Sequence, residues 1–130
     1  MVNRESRASD NPQLAALLEQ LRVVRPEVLS VALSTRSGLL LASATENSDE
    51  AEALAALGAG LLTAAETPAQ ALVGGAAEEA YVRGLAGYVI ALAAGPNAVV
   101  SVVAAPTASL TLLLPDLRQT AAYLGQSLGM

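Results

Sequence analysis

Leu85-Ala-Gly-Tyr-Val-Ile-Ala-Leu-Ala-Ala94, then Gly95-Pro96-Asn97, then Ala98-Val-Val-Ser-Val-Val-Ala-Ala105: these pieces decide the fold. They lie in a run from Gly84 to Leu114 that holds no charged residue. A membrane-spanning helix needs roughly 20 uninterrupted apolar residues, and the break leaves both apolar pieces far shorter. Proline fixes φ while glycine and asparagine tolerate positive φ, so Gly95-Pro96-Asn97 is turn chemistry. The valine-rich flanks favour extended backbone. The stretch reads as a buried β-hairpin.

Working outward, Glu79, Tyr81 and Arg83 alternate with Ala80, Val82 and Gly84, which predicts a strand with one wet face just before the hairpin. After it, Leu110, Leu113, Leu117, Ala121, Leu124 and Leu128 keep helical spacing and predict a helix over 107–128. Pro115 falls inside that span and is expected to kink the helix or displace its start. Near the N-terminus, Asn11-Pro12 is an N-cap followed by proline at the first helical position. The stripe Leu14, Leu17, Leu18, Leu21 continues to Pro26, which disfavours helical backbone at Arg25. From Val28 to Ser34, Leu29, Val31 and Leu33 alternate with Ser30, Ala32 and Ser34, a strand with one bulky and one small face. A turn at Thr35-Arg36-Ser37-Gly38 returns the chain along Leu39–Ala44.

A second helix is expected from Asn47 or Ser48 to about Glu66, stopping before Pro68. Asn47 with Glu50 resembles a capping box, and Asp49, Glu50 and Glu52 crowd the end where the helix dipole favours negative charge. Leu54, Leu57, Leu61 and Leu62 are assigned to one face, and Ala51, Ala55, Gly58 and Ala59 to a second, small-residue face. Drift in an alanine-rich composition and close helix–helix approach across a dimer both account for that second face. The element order is α-β-β-α-β-β-β-α. Its short hairpin connections imply an α+β fold, a five-stranded antiparallel sheet with helices on both faces.

The chain has 130 residues, one domain's worth, expected to comprise a disordered tail at 1–10 and a single domain at 11–130. Apolar residues make up 53%, yet the only aromatics are Tyr81, Tyr88 and Tyr123. The core must be built from Leu, Val and Ala, whose small side chains bury little area at about 0.8 kcal/mol per methylene. A core this thin, with only 15% charged residues, calls for support from an oligomer interface. The N-terminal residues are polar and carry both signs, unlike a secretory leader, which favours a cytoplasmic protein without membrane insertion. A net charge of −5 with scattered arginines argues against nucleic acid.

Catalytic chemistry is nearly absent. There is no His, Cys or Lys to act as a near-neutral base or activated nucleophile. No His or Cys metal site is possible, and Glu78 and Glu79 point to opposite faces of a strand. The glycines match no phosphate-binding loop. No catalytic residue, metal or cofactor is therefore expected. Tyr81 and Arg83 belong to residue types enriched in interfaces, and Arg36 stands at a hairpin tip.

The run Val28-Leu-Ser-Val-Ala-Leu-Ser-Thr-Arg-Ser-Gly-Leu-Leu-Leu-Ala-Ser43, an alanine-rich helix, Gly87-Tyr-Val-Ile-Ala-Leu92 and Asn97-Ala-Val-Val-Ser-Val-Val-Ala104 together resemble the roadblock/LC7 family across about residues 12–128. Ser37-Gly38 stands where the family more often has Asp-Gly. The resemblance implies a non-catalytic dimer, here a homodimer, acting beside a small Ras-like GTPase as regulator, activating partner or scaffold. It implies contact between second helices through Ala51, Ala55, Gly58, Ala59 and Leu62, and pairing of third strands near Tyr81 and Arg83. Arg36, Asp49, Glu50 and Glu52 are the possible partner contacts. Activation would then rearrange the partner's switch loops rather than supply an arginine finger from Arg36 or Arg83. A PAS- or GAF-like module sensing a small apolar ligand is the competing reading; its cavity would be lined by Ala, Val and Leu with Ser30, Ser34 and Ser101.

Overall fold

Asn11 caps the first helix, α1 (Pro12–Val24): its side-chain oxygen accepts from the Leu14 N–H at 3.1 Å, with Pro12 in the first turn. The computed structural model describes residues 11–45 and 47–128, so the tail expected at 1–10 lies outside the described residues. Five strands follow in hairpin pairs: β1 (Val28–Thr35), β2 (Leu40–Ala44), β3 (Glu79–Gly84), β4 (Gly87–Ala94) and β5 (Ala98–Ala104). Between β2 and β3 runs α2 (Ser48–Pro68), and α3 (Leu110–Ser127) follows β5. The strands form one antiparallel sheet in the order β2-β1-β5-β4-β3. The predicted hairpin is β4–β5, with Ala94 opposite Ala98.

The two faces of the sheet differ in side-chain size. Val28, Val31, Leu33, Ile90, Leu92, Val100 and Val102 pack against Leu18 and Leu21 of α1 and Leu113, Leu117 and Leu124 of α3. This is the main core, where deleting one leucine side chain costs about 2–5 kcal/mol. The opposite face is built from Ala32, Ala91, Val99 and the serines of β1 and β5, and α2 lies on it through Leu54, Ala55, Ala59 and Leu62.

Several local expectations are corrected. Leu29 does not join the bulky face: the β1–β5 register shifts between Val28 and Ser30, so Val28 takes the inward position and Leu29 is exposed. Glu50 does not close a capping box. Asn47 accepts from the Asp49 N–H at 2.9 Å, while the Glu50 carboxylate accepts from Ser30 Oγ at 3.0 Å. α2 runs on to Pro68 and continues as a π-helical turn, Ala69–Val73, closed by the Gly74 N–H on Ala69 O. Proline lacks an N–H and crowds the preceding turn, and the chain answers by widening rather than stopping. Pro115 likewise sits within α3, which begins at Leu110 and passes through it.

Candidate functional site

β3 is one of the two edge strands of the sheet, paired only with β4. Its side chains are mostly exposed, with Tyr81 at 47% and Val82 at 48%. An unpaired strand edge with apolar side chains is a template for another chain. Tyr81 and Arg83 lie on the face that carries α3. Arg83 stacks on the Tyr88 ring at 5.9 Å and has no carboxylate partner among the described residues. On the same face Glu79 is held from α3: Arg118 donates from Nε to Oε2 and from Nη2 to Oε1, the second at 3.0 Å. The hydrogen bond to Glu79, reinforced by its charge, pushes the Arg118 guanidinium up from its ordinary value. Arg25, joined to Asp116 where α1 ends, is raised for the same reason. Arginine is charged throughout the neutral range in any case, and the raised value moves the loss of its proton further into alkali.

The helix contact expected from the sequence is corrected. Ala55, Ala59 and Leu62 are buried against the chain's own sheet, and Ala51 is buried within the protomer too. Gly58 is buried there too: a Cβ on it would stand 1.9 Å from Ser101 Oγ. All five are turned inward within the protomer, where α2 packs on β1, β4 and β5. The outward face of α2 is instead Ala53, Ala56, Leu57, Gly60 and Ala64, all exposed. Leu57 is 71% exposed, and a Cβ on Gly60 would meet nothing within 4 Å. Both faces keep helical spacing and both are apolar, so periodicity could not say which one meets the sheet. Glu52 and Thr63 lie between the two stripes on the helix and border both, so they mark neither as the outward one.

Of the possible partner contacts, Arg36 folds back rather than projecting. Its Nη1 lies 3.8 Å from Glu66 Oε2, and its N–H donates to Asn97 O at 3.2 Å. Glu66 also accepts from the Ala77 N–H at 3.2 Å, tying the segment after α2 to the helix. Asp49, Glu50 and Glu52 are exposed at the start of α2, with Glu50 engaged by Ser30.

A cleft of about 840 Å³ beside β3 is lined by residues including Arg36, Glu78, Tyr81, Leu92 and Arg118. Both of its arginines are already paired with glutamates, which blunts any pull on an anion. No group of three or more potential metal ligands occurs among the described residues, and no helix among them is long and apolar enough to cross a membrane. What the surface offers is contact area: an open strand edge and an apolar helix stripe.

The Roadblock/LC7 domain family matches residues 14–105. The fold is similar to that of a roadblock/LC7 domain from Streptomyces avermitilis, at 20% identity and TM-score 0.82, over 89% of this chain and 98% of that one. It is similar to the gliding protein MglB of Thermus thermophilus, at 21% identity and TM-score 0.76, over 88% and 87%. Myxococcus xanthus MglB gives 20% identity and TM-score 0.78 over 93% and 98%. No curated protein matches the chain in sequence.

Proposed function

The chain belongs to the roadblock/LC7 family, and from that premise we propose that it is a non-catalytic homodimeric platform that regulates or scaffolds a small Ras-like GTPase. The observation that carries this reading is the pair of uncovered surfaces, the open edge of β3 and the outward stripe of α2. A stable complex buries on the order of 800 Å² per partner, more than one short strand supplies, so the two surfaces act together in the dimer. The GTPase part rests on the family resemblance, and the fold is one shared with the gliding protein MglB. The chain's lack of His, Cys and Lys supports a role exercised through contact rather than chemistry.

The test has two stages. Sedimentation at micromolar concentration should give a dimer. Immobilised protein should then retain a Ras-like GTPase of the same genome and discriminate its GTP-analogue form from its GDP form. A monomer at the first stage removes the dimeric platform, and equal indifference to both nucleotide states of every such GTPase removes the regulatory role. Purified protein alone should not hydrolyse GTP.

A further inference from the structure

The backbone groups of β3 that face outward can be assigned. The Ala93 N–H donates to Glu78 O at 2.9 Å, which makes Glu78 and Ala93 a hydrogen-bonded pair. Bonded and non-bonded pairs alternate along an antiparallel ladder. Ala80–Ala91, Val82–Val89 and Gly84–Gly87 are therefore the other bonded pairs of the register. The N–H and C=O groups of Glu79, Tyr81 and Arg83 point away from β4, to the open side of the sheet.

The sequence along that open edge is complementary to itself. Laid antiparallel on its own copy about Tyr81, the segment Glu79-Ala80-Tyr81-Val82-Arg83 sets each glutamate against an arginine, each alanine against a valine, and tyrosine against tyrosine. Resting on the homodimeric reading above, we propose that a second copy of this chain docks on β3 in this one register. Tyr81 meets the partner's Tyr81 at the two-fold axis, and Glu79 and Arg83 form two reciprocal ion pairs that make the edge selective for its own kind.

Other registers lose this match. An axis midway between residues would set outward groups of one strand against inward groups of the other. An axis at Ala80 leaves Glu79 facing Tyr81 and Arg83 facing Ala77, and an axis at Val82 sets Glu79 against Leu85. An axis at Glu79 or Arg83 places like charges directly opposite, which is destabilising. Only the Tyr81 axis sets both Glu79 and Arg83 against an opposite charge. The side chains are prepared for it: Arg118 holds the Glu79 carboxylate from the α3 side, and a carboxylate has acceptor positions for a second arginine. Arg83 is without a carboxylate of its own among the described residues and lies on the same face of the strand. On the other face the half-exposed Val82 would cover the partner's Ala80, beside Leu61, Ala65 and Ala69, which already pack on the cluster that includes Ala80.

Charge reversal in the full chain tests the register. Arg83→Glu alone and Glu79→Arg alone should each raise the dimer dissociation constant roughly ten- to thirtyfold, because two attractive pairs become repulsive. Mixing the two variants in equal amounts should restore association as a heterodimer, in which every facing pair is again opposite in charge. Combining both changes in one chain should restore the homodimer, which also guards against Glu79→Arg acting only by loss of the Arg118 contact. A wild type that stays monomeric at every concentration overturns both this register and the homodimeric reading. A dimer whose dissociation constant ignores Arg83→Glu, or variants that show no preference for each other on mixing, overturns the register alone.

Discussion

Gly58 and Ser101 meet where α2 crosses β5, and the contact leaves no room for a methyl group. Gly58→Ala should lose stability despite alanine's higher helix propensity, by about 1–3 kcal/mol for an overpacked site. Adding Ser101→Gly should recover part of that loss, and urea unfolding of the double-mutant cycle would read the coupling. Ser101 also buries a hydroxyl that has no hydrogen-bond partner among the described residues. Ser101→Ala should therefore stabilise the protein by about 1 kcal/mol, since it removes a desolvated polar group without changing the packing volume much. Ser30 differs. Its proton goes to Glu50, so the 3.0 Å contact with Thr45 must be donated by Thr45, and this chain of contacts joins β1 to the start of α2.

At the scale of the element, α2 has two apolar faces with different duties, and substitutions on them should separate. Ala55→Arg puts a charge into the fully buried contact with the sheet and should unfold the protomer, at about 3 kcal/mol or more. Leu57→Arg, on the outward face, should leave the circular dichroism spectrum intact while weakening self-association. If both variants merely dissociate a folded protein, the division of faces is wrong. Gly60 lies on the outward face with open space around it. In the Leu57→Arg background, Gly60→Ala should raise stability by up to about 1 kcal/mol. The same substitution two residues apart on one helix thus has opposite signs, because one position has a neighbour and the other does not.

For the whole molecule, the acids at the start of α2 bear on how a basic partner arrives. Exposed charges steer encounter over about a Debye length, near 10 Å at 0.1 M salt, and the effect fades as salt rises. Replacing Asp49, Glu50 and Glu52 with glutamine should slow association with a cognate GTPase several-fold at low salt and flatten its salt dependence, as stopped-flow binding would show. The fold should survive at a small loss, since the acids also favour the helix dipole and Glu50 accepts from Ser30. Unchanged association rates would confine these acids to helix capping and direct the search to the β1–β2 hairpin around Arg36.

Element order, the hairpin at Gly95-Pro96-Asn97, the cap at Asn11 and the wet-faced strand around Tyr81 follow from the sequence alone, because local backbone preference and side-chain period express themselves within a few residues. The resemblance to the roadblock/LC7 family was legible for the same reason, being carried by apolar patterns along strands. Tertiary structure alone decided which face of α2 is spent on the sheet, since Ala51, Ala55 and Gly58 differ from Ala53, Ala56 and Gly60 only in what they meet. It also decided that Arg36 turns back to Glu66 and that Arg118 holds Glu79 from 39 positions away. Long-range pairings of this kind leave no trace in spacing. They are set when distant elements pack, and the thin alanine and serine layer beneath α2 is what lets that helix come close enough to settle the question.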